Sequence, residues 1–165
     1  QAAYELIPKD EKSKVHQRIG ELLLQRLDLE KEPDRVFDIA DQFNLGSKTQ
    51  PADLRIDIVR LNYKAGIKAI SATANDSALS YFNAAVSHLS PSDWKEDHEL
   101  CFKVYLSAMQ SNYLVGSYKE MEKVGKLLIS QPLSKIEKLE TNATRAGSHL
   151  KKAPTSFRTL VINLS

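Results

Sequence analysis

Proline placement constrains this chain more than any other feature. Its six prolines stand at 8, 33, 51, 91, 132 and 154, and each borders a stretch patterned as helix. Proline has no N–H to donate and its ring clashes with the preceding turn, so it is tolerated at a helix start and disfavoured inside one. The pieces between the prolines are of helical length and carry apolar residues three and four apart. After Pro8 come Val15, Ile19, Leu22, Leu23 and Leu27, which predict an amphipathic helix over 9–29. After Pro33, Val36, Phe37, Ile39, Ala40 and Phe43 predict a shorter helix over 34–44, with Gly46 in the left-handed conformation that ends helices. Leu54, Ile58, Leu61 and Ala65 lie on a helix over 52–69, and Ala78, Phe82, Ala85, Val86 and Leu89 on one over 74–89. The same order recurs after Pro91. A helix over 92–114 carries Leu100, Val104, Ala108 and Tyr113, and one over 117–130 carries Met121, Val124, Leu127 and Leu128, with Ser90 as N-cap before Pro91 and Trp94 as an anchor.

The intervals from Pro51 to Pro91 and from Pro91 to Pro132 are 40 and 41 residues, and a near-constant period of that size marks stacked repeats. No strand alternation or Asn-Gly hairpin signal appears before residue 155. The expectation is all-α: antiparallel helical hairpins stacked as a short solenoid of about six to seven helices, forming one domain over 1–133. Residues 134–165 are expected to be a weak helix and a poorly ordered basic tail. Thr141, Asn142, Thr144, Gly147 and Ser148 lower helix propensity there, and the charge from Lys119 onward is +5 against −3 before it.

Composition excludes several classes. A formal charge of +2 on 165 residues predicts neither a nucleic-acid nor a membrane surface, and no apolar run reaches the roughly 18–20 residues that span a bilayer. A single cysteine, Cys101, excludes an internal disulfide and multi-cysteine metal clusters, which fits a reducing, cytoplasmic setting. The start, Gln1-Ala2-Ala3-Tyr4, has no initiator Met and reads as a piece of a longer protein.

Two resemblances follow from particular residues. Gly66, Ala78, Phe82 and Ala85 fall where a tetratricopeptide repeat places a small residue, a small residue, an aromatic and a small residue. Gly116 and Tyr118 match the turn between the two helices of that repeat in the second unit, where Met121 and Gly125 replace the usual Ala and aromatic. These seven positions, Gly66, Ala78, Phe82, Ala85, Gly116, Tyr118 and Met121, are the expected repeat-packing residues. The second resemblance rests on Gln1-Ala2-Ala3-Tyr4-Glu5-Leu6-Ile7-Pro8, Val15-His16-Gln17-Arg18-Ile19-Gly20, Phe37-Asp38-Ile39-Ala40-Asp41-Gln42-Phe43-Asn44 and Leu61-Asn62-Tyr63-Lys64-Ala65-Gly66-Ile67-Lys68-Ala69. From Gln1 to about Leu133 the chain resembles the helical region that follows the signal-transduction ATPase in multi-sensor hybrid histidine kinases and related Ser/Thr kinases of fungi and bacteria. The resemblance implies a phosphate-binding loop upstream of residue 1, and a sensor and a phospho-accepting histidine downstream of residue 165. It also implies partners among proteins or neighbouring domains of the same chain: the ATPase, the sensor and the kinase.

A search of the residues for chemistry assigns no catalytic, cofactor or metal residue, and no cofactor is expected in this chain. Gly125-Lys126 has the right types for a phosphate-binding loop, but Glu120 stands where its first glycine belongs. His16, His88, His98 and His149 contain no i, i+4 pair, and His98 with Cys101 supplies two ligands where a site needs three or four. Cys101 sits between Leu100 and Phe102 and reads as a buried, inert thiol. His16 lies at the edge of an apolar stripe, and His149 stands in a context faintly like a phosphotransfer helix. Tyr63, Tyr81, Tyr105, Tyr113 and Tyr118 are either core or a peptide-binding surface. Asn75, Asn142 and Asn163 head Asn-X-Ser/Thr triplets, which matter only in a secreted chain. The functional expectation is a non-catalytic helical-repeat regulatory segment of a signalling ATPase-kinase. The alternatives are a phosphotransfer module using His149 or His16 and a stand-alone tetratricopeptide-like adaptor.

Overall fold

The computed structural model describes residues 8–46 and 52–152. Among them are eight α-helices and no strand: α1 (Lys9–Arg26), α2 (Arg35–Leu45), α3 (Arg55–Ser71, preceded by a 3-10 turn at Ala52–Leu54), α4 (Asn75–His88), α5 (Asp93–Glu96), α6 (His98–Leu114), α7 (Tyr118–Ile129) and α8 (Lys135–Lys152). The chain divides into two units, 1–91 and 92–165.

The count of eight exceeds the six to seven expected from spacing, because the predicted helix over 92–114 is two helices. Asp97, at φ −144° and ψ 71°, breaks it, and its carboxylate accepts from the Leu100 N–H at 3.1 Å, capping α6. Ser90 is correspondingly not the N-cap. Ser92 precedes α5, and its side chain makes no capping bond.

In the first unit, α1 and α2 form an antiparallel pair, as do α3 and α4, where Arg55 Nη1 at the start of α3 donates to the His88 carbonyl at the end of α4 (2.7 Å). Val36, Ile39, Ala40, Phe43, Ile58, Leu61 and Ala65 are the buried core, with Leu23, Leu24 and Leu27 packed against it. The first half of α1 departs from the expected stripe. Val15 and Ile19 are 43% and 38% exposed, while Ser13 and Gly20 are buried. The reason is the close approach of α2: a Cβ on Gly20 would lie 3.3 Å from the Phe43 ring, and one on Gly46 would lie 2.7 Å from the Gln17 nitrogen. Gly46 has φ −84°, so it serves contact with α1 rather than a left-handed cap.

In the second unit, α6 and α7 form an antiparallel hairpin over Trp94, Cys101, Phe102, Val104, Ala108, Met109, Met121 and Leu128, all buried. The turn needs Gly116, whose φ is +80° and around which a Cβ would meet nothing within 4 Å. Its requirement is conformational, and Gly116→Ala is expected to cost about 1 kcal/mol, read as a lower urea midpoint at unchanged slope. The equivalent left-handed position in the α3–α4 turn is Thr73, at φ 59°.

The region expected to be a weak helix contains an 18-residue helix, α8. Its start is a reciprocal capping box. Ser134 N–H donates to Glu137 Oε2 at 2.7 Å, and Glu137 N–H donates to Ser134 Oγ at 3.2 Å, which offsets the low propensity that follows. The basic tail beyond Lys152 and prolines 51 and 154 lie outside the described residues.

Candidate functional site

The residues predicted to pack the repeats sit at helix joints. Gly66 on α3 faces Phe82 on α4, and a Cβ there would come within 2.5 Å of Phe82 Cε1. Ala78, Phe82 and Ala85 are buried on the facing side of α4, and Tyr63 adds a ring centroid 6.0 Å from that of Phe82. In the second unit Met121 is buried and the half-buried Tyr118 ring stands 6.3 Å from that of Tyr113. The remaining tyrosines among the described residues also sit in ring contacts: Tyr81 with Phe37 at 5.7 Å and Tyr105 stacked on Trp94 at 5.5 Å.

Polar joints accompany these contacts. Asn62 on α3 is fully buried, and its amide and that of Asn44 on α2 bond each other reciprocally at 2.8 and 3.1 Å. Asn62 also donates to the Ile58 carbonyl at 3.0 Å, so one pair of amides ties the two helices without leaving a buried donor unmet. Tyr81 OH donates to Asp41 Oδ1 at 2.8 Å, and burial, then Asp41, raise its phenol above the ordinary value. His16 Nδ1–H donates to Gln42 Oε1 at 2.8 Å, which joins α1 to α2. Burial, then the Arg55 charge, lower the His88 pKa.

The densest polar arrangement is where α8 docks on the α6–α7 hairpin. His98 Nε2–H donates to Glu137 Oε1 at 2.9 Å, with the Trp94 ring centroid 5.3 Å from the imidazole. Burial would raise the Glu137 carboxyl, but the Ser134 N–H, the Ser134 hydroxyl and His98 together hold it below the ordinary glutamate value. One helical turn on, Thr141 is fully buried and its hydroxyl donates to the Glu137 carbonyl at 2.8 Å. Beyond it Arg145 Nη2 donates to Glu122 Oε2 on α7 at 3.0 Å. The Arg145 stem crosses α7 at Gly125, where a Cβ would lie 3.0 Å from Arg145 Cδ and 3.1 Å from Met109 Sδ. Gly125, weighed in the sequence as half of a nucleotide loop and as a departure from the repeat pattern, is the saddle that admits Arg145.

Sequence reasoning missed Glu137, Glu122 and Arg145 as a set. A signal was present for the first, because Ser134 and Glu137 have the capping-box spacing. Nothing in spacing could pair Glu122 with Arg145, which are 23 residues apart. His98 and Cys101 do not act together, since the imidazole bonds Glu137 and the thiol is buried. Among the described residues no group of three or more His, Cys, Asp or Glu is arranged to hold a metal ion, and no helix is long and apolar enough to cross a membrane. His149 falls in α8 with its side chain outside the described residues.

The sequence is similar to that of hybrid signal transduction histidine kinase G of Dictyostelium discoideum, at 28% identity over an alignment of 165 positions that covers 85% of this chain. The chain spans 5% of that relative's length. No family profile matches the sequence, and no solved structure matches it.

Proposed function

We propose that this chain is a non-catalytic helical segment of a larger signalling kinase, in which tetratricopeptide-like hairpins hold neighbouring domains or a protein partner. The observation that carries the reading is the likeness to a hybrid histidine kinase along 85% of this chain, on a twentieth of that protein. The geometry supports it from another side, because the polar clusters described bind helix to helix: Asn44 with Asn62, His98 with Glu137 and Glu122 with Arg145. Helical hairpins of this kind present surface rather than a reacting centre. The ATPase, sensor and kinase of the parent protein are the proposed partners, and the setting is cytoplasmic. Sequencing the coding region on both sides tests it, with an upstream phosphate-binding loop and a downstream sensor as the expected result. ATP turnover by the purified chain alone would overturn it.

One observation favours a phosphotransfer role as the second reading. It is the likeness to a hybrid signal transduction histidine kinase, and His16, bonded through Nδ1 to Gln42 Oε1 at 2.8 Å, and His149 are the candidate acceptors. That reading expects acid-labile phosphate on the chain after incubation with a phosphorylated kinase, lost in His16→Gln or His149→Gln. Unlabelled wild-type chain ends it.

A further inference from the structure

Helix α8 is amphipathic the wrong way round for a helix at the edge of a folded unit. Its inward face carries Glu137, Thr141 and Arg145, which make the polar joints to α6 and α7. On the opposite face stand Ile136 and Leu139, 70% and 69% exposed, the most exposed large hydrophobics among the described residues. Ala146 follows on that face and Ala143 at its border, where it lines a pocket with Tyr113 and Leu114 of α6; both are exposed, and Leu150 is next in the sequence at the same spacing. Positions 136, 139, 143, 146 and 150 are separated by three, four, three and four residues, the a and d positions of a heptad repeat. A helix held by charged and hydroxyl groups on one side has its apolar stripe left over for another surface.

We propose that this stripe is the seam of a parallel, in-register two-stranded coiled coil with a second copy of this chain. Two features select that occupant and that orientation. A β-branched residue at a and Leu at d, here Ile136 and Leu139, favours two parallel strands. The flanking charges are complementary only in that arrangement. With Ile136 at a, Lys135 occupies g and Glu140 the following e, so each Lys135 meets Glu140 of the other copy, giving two ion pairs about the two-fold axis. An antiparallel copy sets g against g and e against e. The other such positions hold Asn142, His149 and Gly147, so Lys135 and Glu140 would find no opposite charge.

Sedimentation velocity on the whole chain across a concentration series tests the inference. A monomer–dimer equilibrium is expected. Leu139→Glu, at a site already 69% exposed, should abolish the dimer while circular dichroism and the urea midpoint, taken at a dilution where the wild type is monomeric, stay unchanged. Lys135→Glu and Glu140→Lys should each weaken the dimer by about tenfold, and the two together should restore it. Leu139→Cys in a Cys101→Ser background should form a disulfide between copies on oxidation, because parallel in-register packing sets each d position opposite itself. A wild-type chain that stays monomeric throughout the series overturns the proposal, as does a dimer that survives Leu139→Glu. Failure of the double charge reversal to restore the dimer overturns the parallel register.

Discussion

Phe82→Ala is expected to destabilise the first unit by about 3–5 kcal/mol, the largest loss available from one substitution outside its central cluster. Phe82 is 1% exposed, and its ring lies over a position where α3 has no side chain. The ring and the glycine are one fit: a Cβ on residue 66 would stand 2.5, 2.6 and 2.8 Å from Phe82 Cε1, Cζ and Cδ1. Ring atoms fixed on all sides cannot retreat by half an ångström without moving α4, so Gly66→Ala should cost about 1–3 kcal/mol through overpacking. The two effects are coupled. Gly66→Ala in a Phe82→Leu background should cost less than in the wild type, because the shorter side chain leaves room for the methyl group. Urea unfolding followed by circular dichroism gives all four corners of the cycle. Additive losses would mean that the ring and the glycine do not share one contact. The α3–α4 hairpin positions the buried Asn62 as well, so its loosening should also reach the bonds of Asn62 to Asn44 on α2.

That hairpin was the part of the fold most legible in the sequence, and the reason is physical. Pro91 bounds it, apolar residues recur along both helices, and the small-aromatic pairing of Gly66 with Phe82 writes a helix–helix approach directly into residue size. In the first half of α1 the same kind of evidence led to the wrong face. Val15 and Ile19 are spaced like core residues and stand outward, because the contact with α2 is made by Gly20 and backbone near Gln17, and glycine carries no apolar signal to count. The break at Asp97 was hidden inside a stretch whose periodicity runs on at both ends. Asp97 is a good N-cap in type, but an apolar count does not see a cap. In α8 the apolar stripe was thin, and it faces away from the hairpin. Its docking is polar, and ion pairs between distant residues leave no periodic trace.

Glu137 is where that polar docking concentrates, and Glu137→Ala is expected to cost the second unit about 2 kcal/mol. The side chain does two things at once. Oε2 accepts from the Ser134 N–H and completes the cap of α8, while Oε1 accepts from His98 Nε2 and fixes the helix to α6. Removing it leaves the Ser134 N–H without this acceptor and His98 without this carboxylate, while the bond from the residue 137 N–H to Ser134 Oγ stays. Glu137→Gln separates the two roles, since an amide oxygen can still accept from Ser134 but carries no charge for the imidazole. Acid titration of stability gives an independent reading. The carboxyl is held below its unfolded-state value, so the folded state binds its proton less readily than the unfolded state does. The stabilisation is therefore complete above the ordinary glutamate pKa of 4.5 and is lost as pH falls through the lowered folded-state value. In Glu137→Gln that part of the acid-side slope should vanish, while stability near neutral pH falls by less than in Glu137→Ala. An acid limb identical in wild type and Glu137→Gln would show that the charge on residue 137 does not contribute. The outward stripe of α8 depends on this joint, because Glu137 and Arg145 fix the rotation that turns Ile136 and Leu139 away from the hairpin. Glu137→Ala should therefore weaken self-association along with stability, whereas Leu139→Glu acts on self-association alone.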